Sequence, residues 1–173
     1  MDQIDLILEQ WRRERPDLDL TPMAVFGRIG VLARVLVPRT EEVFAEHGLR
    51  NGEFEVLNAL RRVGPPYALI PSELSAMLMM SRAGMTNRLD RLEAAGYVER
   101  TLDPADRRSF HITLTAAGHT VIDAAMTDHA ANLHRLATDM GSEELAALSN
   151  GLGKLLSTLT TDPSQHCPPG VTD

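Results

Sequence analysis

Cysteine occurs once in these 173 residues, at Cys167, so neither an internal disulfide nor a multi-cysteine metal site can form. Lysine is as scarce, with Lys154 standing beside 16 arginines. Aromatic side chains make up 4% of the chain, and Trp11 is its one tryptophan. No stretch reads as the run of about 20 apolar residues that spans a bilayer. The start Met1-Asp2-Gln3-Ile4-Asp5 is acidic and lacks the basic opening and apolar core of a secretory signal. A cytoplasmic protein without a membrane partner is the expectation. Also missing are a glycine-rich phosphate loop, a nucleophile beside an evident base, and histidines at ligand spacing. His129 and His134 are five apart, whereas three or four would place both on one helical face. These absences exclude the common enzyme signatures and call for no cofactor or metal.

What is present begins with charge. The net charge is −7, which seems to oppose nucleic acid, because affinity for phosphate comes from cations. Its distribution matters more than its total. Residues 81–108 hold six arginines against five acids, a balance of +1, so the rest of the chain carries −8.

Periodicity predicts a mainly α fold with a small β wing. Residues 2–13 read as a short amphipathic helix carrying Ile4, Ile7, Leu8 and Trp11. Thr21 before Pro22 reads as an N-cap with proline at the first helical position. The helix that follows carries Val25, Ile29, Leu32 and Leu36, should kink near 34–38 at Pro38, and ends at Gly48. Asn51 is placed as the cap of a helix bearing Phe54, Leu57 and Leu60. Pro71-Ser72-Glu73 opens a short helix, and Ser81 caps another whose Met85, Leu89 and Leu92 share a face up to Gly96. Two helices so close together make a helix-turn-helix.

The period then shortens to two. Residues 97–102 and 109–114 read as strands flanking Asp103-Pro104-Ala105-Asp106-Arg107-Arg108, the arrangement of a wing. Thr115 caps a long helix with Ile122, Met126, His129, Leu133, Leu136 and Met140 on one stripe. After Gly141-Ser142, the residues Leu145, Leu148, Leu152, Leu155 and Leu159 form a seam at coiled-coil spacing. Residues 161–173 show no apolar periodicity and read as a disordered tail. The expected organisation is therefore 1–48 N-terminal helices, 49–114 winged lobe, 115–160 C-terminal helices and 161–173 tail.

With Met85, Leu89 and Leu92 turned inward, Ser81, Arg82, Thr86, Asn87 and Arg88 become candidates for contact with double-stranded DNA. Such a helix reads base edges in the major groove, while a cationic loop can reach the adjacent minor groove. The bland alternative for the same face is simple solvation. Three long apolar faces exceed what one small lobe can bury, and this predicts a homodimer. A winged module used only for protein contacts is the competing class, disfavoured by the arginine-bearing wing.

Residues 49–118 resemble the MarR (multiple antibiotic resistance regulator) family of bacterial transcriptional regulators. The resemblance is carried by Pro71-Ser72-Glu73-Leu74-Ser75, Thr86-Asn87-Arg88-Leu89-Asp90-Arg91-Leu92-Glu93, Gly96-Tyr97-Val98-Glu99-Arg100, Asp103 to Ser109 and Leu114-Thr115-Ala116-Ala117-Gly118, in the correct order. With the flanking helices it extends over about residues 22–160. It implies a triangular dimer joined by the terminal helices, and a repressor that leaves its pseudo-palindromic operator when a small ligand or oxidant arrives. Peroxide sensing in the family uses a cysteine near the N-terminal helix, a position unlike that of Cys167. Within the wing, the resemblance pairs Asp106 with Arg108, the acid orienting the guanidinium toward the minor groove, and leaves Arg107 for phosphate. A urate-responsive branch carries an extra N-terminal helix and a ligand set of Trp, Asp, Arg and Arg. The matching positions are Trp11, Glu55, Arg88 and Arg100, with Glu55 departing from the pattern. Two arginines facing an anionic effector are chemically sensible. The favoured reading is structural: Trp11 staples the first helix to the core, while both arginines brace the lobe or touch DNA.

Overall fold

A computed structural model describes residues 1–102 and 110–160. The chain divides into a unit of residues 1–132 and a second unit from Leu133 onward.

The first unit opens with α1 (Gln3–Glu14), capped reciprocally. Asp2 Oδ1 accepts from the N–H groups of Ile4 and Asp5, and Asp5 Oδ2 accepts from the N–H of Asp2. Such a box satisfies donors that the helix start leaves unpaired. Ile4 and Leu8 pack with Leu20 into a small apolar cluster against α2 (Thr21–Glu46). Arg28 of α2 fastens the pair from outside, reaching Asp2 at 2.8 Å and Asp5 at 2.5 Å.

α2 departs from expectation at its start, where Leu20 occupies the cap position and Thr21 is already helical; as expected, the helix runs on through Pro38 and stops at Glu46, just before Gly48. The orphan N–H of Thr21 is met instead by Asp19 Oδ1 at 2.9 Å. The helix also contains an 18-residue window with mean hydropathy 1.3 and at most two charged residues. By length and composition alone it is long and apolar enough to cross a membrane, but Arg28 and Arg34 interrupt it, so it is not an unbroken run of apolar residues. Its exposed residues include Val25, Phe26, Leu32, Val35 and Val37.

The lobe is built from α3 (Asn51–Arg62), β1 (Ala68–Leu69), α4 (Pro71–Met77), α5 (Arg82–Ala94), β2 (Val98–Leu102) and β3 (Phe110–Leu114). Arg50, rather than Asn51, holds the α3 cap position, its N–H donating to Glu53 Oε2 at 2.8 Å. Ser81 caps α5 as expected, Oγ accepting from Gly84 N–H at 3.2 Å. Gly96 ends that region in the left-handed conformation at φ +74°. The strands form a three-stranded antiparallel sheet in the order β1-β3-β2, with Val98 opposite Leu114 and Leu102 opposite Phe110. β1 was not foreseen, because two residues carry no readable alternation; its pairing with Ile112 and Thr113 defines it. Phe54, Leu57, Leu60, Leu74, Met85, Leu89, Leu92, Ile112 and Ile122 fill one continuous core.

α6 (Ala116–Leu136) closes the unit over α2 and α3. Thr115 sets its start, Oγ1 accepting from Gly118 N–H and donating to the Gly96 carbonyl. His129 lies between Phe44 at 5.1 Å and Phe54 at 5.4 Å, within the lobe's own aromatic cluster. The helix ends at Leu136, so Met140 falls in the following turn instead of on the helical stripe. In the second unit, Glu144 accepts from Gly141 N–H, and α7 (Ser142–Thr160) follows with none of its residues buried. Its exposed seam includes Leu145, Leu148, Leu152 and Leu159.

Candidate nucleic-acid interface

α5 has one committed face and one open face. Met85, Leu89 and Leu92 lie in the core, at most 2% exposed. The opposite side presents Ser81, Arg82, Thr86 and Asn87, all exposed. Among the described residues, neither the Arg82 guanidinium nor the Asn87 amide has a hydrogen-bond or ion-pair partner. Arg82 and Thr86 also border an open cleft of about 300 Å³ with Ser72 and Ser75 of α4. Hydroxyls and a guanidinium converging on a concave surface suit phosphate oxygens and base edges.

Arg88 belongs elsewhere. It is half-buried, its Nη1 donates to the Gly84 carbonyl at 3.3 Å, and its guanidinium crosses the start of α3. A Cβ on Gly52 would come within 2.0 Å of Arg88 Nε, so only glycine leaves that path free. This places Arg88 off the outward face, among the borders of a second cleft of about 380 Å³ shared with Asn51, Glu55, Arg62, Met79 and Met80. Arg62 was not anticipated. It lies seven residues beyond Glu55 on α3, a spacing that returns to the same helical face.

The other two members of the candidate ligand set lie outside that cleft's lining. Arg100 on β2 donates to Asp90 at 2.5 Å and approaches Glu93 at 3.0 Å, both on α5, and stacks over the Phe110 ring at 5.6 Å. It ties the first wing strand to the open helix. Trp11 sits on α1, 45% exposed. The structure therefore places Glu55 and Arg88 on the border of one cleft, which Trp11 and Arg100 do not line. Asp106, Arg107 and Arg108 lie outside the described residues.

Glu53 is a further residue that the sequence reading did not single out. Burial alone would raise its pKa, but the Arg50 N–H and the Arg91 guanidinium outweigh it and hold the carboxyl below its ordinary value. The pair welds α3 to α5 and so sets where the open face stands.

Helix, turn, capped second helix and an antiparallel strand pair behind it define a winged helix-turn-helix protein. A model of the MarR family matches residues 47–109. The chain is 37% identical over 153 residues to the HTH-type transcriptional regulator PecS of Dickeya dadantii, covering 88% of this chain and 92% of that one. It is 36% identical over 93 residues to the transcriptional repressor MprA of Escherichia coli, about half of each chain. The chain belongs to the MarR family. Among solved structures, the MarR family regulator Sco3205 of Streptomyces coelicolor, determined in complex with DNA, shares the fold at TM-score 0.74 and 21% identity, over 86% of this chain and 92% of that one.

Proposed function

We propose that this protein is a sequence-specific, double-stranded-DNA-binding transcriptional repressor that acts as a homodimer in the cytoplasm, and that it catalyses no reaction. The observation that carries the reading is the open face of α5, where Arg82, Thr86 and Asn87 stand exposed above a fully packed inner face. A guanidinium and an amide with no partner among the described residues, on one short helical stretch, have the donor and acceptor pattern that base edges require. The relatives named as regulators and repressors, and the one solved on DNA, support the same reading. Arg108, oriented by Asp106, would supply the minor-groove contact, and Arg107 a phosphate contact. A protein-only adaptor module is the competing class.

The division proposed is 1–48 and 115–160 for dimerisation, 49–114 for DNA and 161–173 as a tail. Support comes from the exposed apolar residues of α2 and α7, which a second copy would cover. For a small anionic effector, the cleft holding Arg62, Arg88 and Glu55 is the better site, since two arginines there bear no carboxylate partner among the described residues. Trp11 is then a staple of α1 rather than a ligand contact.

Selection from a random duplex pool tests the main reading. The expected product is a two-fold-symmetric motif with half-sites about 10 bp apart. A pool that yields no symmetric motif refutes it.

A further inference from the structure

Thr86 offers two different groups to whatever meets the open face, and the structure has already used one. Its Oγ1 donates to the carbonyl oxygen of Arg82, one turn earlier, at 3.1 Å. A β-branched side chain sits in staggered wells, so placing the hydroxyl also places the methyl. The hydroxyl has one proton to give, and it goes to the helix. Thr86 is nevertheless exposed, and the branch left to face outward is Cγ2. An apolar atom thus sits between two polar groups, the Arg82 guanidinium and the Asn87 amide. In the major groove, the one apolar feature on a base edge is the 5-methyl group of thymine.

We infer that Thr86 selects thymine by packing its methyl against the 5-methyl group of the base, and that its hydroxyl takes no part in base reading. The inference rests on the DNA-binding reading above. It differs from a hydrogen-bonding role, in which the oxygen's free lone pair would accept from adenine N6 or cytosine N4.

The test uses the selected duplex, made with thymine or with deoxyuridine at each position in turn, a change that removes only the methyl. The parent protein should lose about four-fold in affinity per half-site at one symmetric position, the worth of one buried methyl. Thr86→Val keeps the methyl and should retain that preference. Thr86→Ser keeps the hydroxyl and should bind thymine and uracil duplexes equally. Indifference of the parent to uracil at every position overturns the inference, and so does loss of the preference in Thr86→Val with retention in Thr86→Ser. Because the uracil arm alters only the DNA, its outcome is independent of how the variants fold. Failure to select any duplex overturns the DNA-binding reading itself, and this inference with it.

Discussion

Glu53 of α3 and Arg91 of α5 meet at 2.5 Å, the acid 8% exposed and the arginine 43% exposed. That asymmetry decides what each substitution costs. Removing Arg91 strands a buried carboxylate, whereas removing the Glu53 charge leaves a cation that water can reach. Arg91→Met should therefore cost about 2–4 kcal/mol, less than for a wholly buried pair because Arg91 is partly hydrated. Glu53→Gln should cost nearer 1 kcal/mol, since the amide oxygen can still accept from the Arg50 N–H. Urea unfolding of both variants measures the difference, and the reverse order would contradict it.

The same acid predicts a pH dependence. Its folded pKa lies below the ordinary 4.5, so the folded state holds fewer protons than the unfolded chain. Its contribution is fully present above about pH 4.5 and disappears as pH falls through the lower folded value. Between pH 7 and 3.5 the parent should lose more stability than Glu53→Gln. Urea midpoints across that range supply the test, and equal losses would remove Glu53 from the account.

Gly118 is predicted to be intolerant of any side chain. A Cβ there would lie 2.0 Å from the Tyr97 carbonyl oxygen, which is backbone and cannot swing away. The same oxygen accepts from Thr115 N–H at 3.1 Å, so a shift would also disturb the start of α6. Gly118→Ala should cost about 1–3 kcal/mol or more through overpacking. Thermal unfolding at parental temperature would show that the junction has slack.

Gly52→Ala should behave differently. The atoms it would meet belong to the Arg88 side chain, which can move. Stability should change by less than about 1 kcal/mol, while the guanidinium is displaced from its cleft. If that cleft takes an anion, a thermal-shift panel of small carboxylates and phenolates should give hits on the parent that weaken in Gly52→Ala and Arg62→Ala. Hits insensitive to both substitutions would place the effector elsewhere.

The proposed dimer rests on α7. Replacing Leu148 and Leu152 with glutamate puts charges into its exposed apolar seam and should give monomers or insoluble protein. Sedimentation of the parent as a monomer at micromolar concentration would defeat the dimer.

Much of this protein was determined locally, and local physics is what a sequence displays. The inward set Met85, Leu89 and Leu92, the Ser81 cap, the left-handed Gly96 and the paired wing strands follow from periods of 3.6 and 2 and from backbone groups seeking partners a few residues away. The tertiary structure decided what depends on distance between elements. Arg88 looked equally suited to DNA or to a ligand, and the closeness of Gly52 settled its direction. Arg100 was grouped with Glu55 and Arg88, yet its guanidinium is taken up by two acids on α5 and does not line their cleft. Glu53 carries no signal in the sequence, and its role comes from Arg91, which the fold brings against it. Even β1 exists only because residues 112 and 113 offer it an edge. A long, flexible cation takes its role from whichever partner the packing brings within reach, and no spacing along the chain encodes that choice.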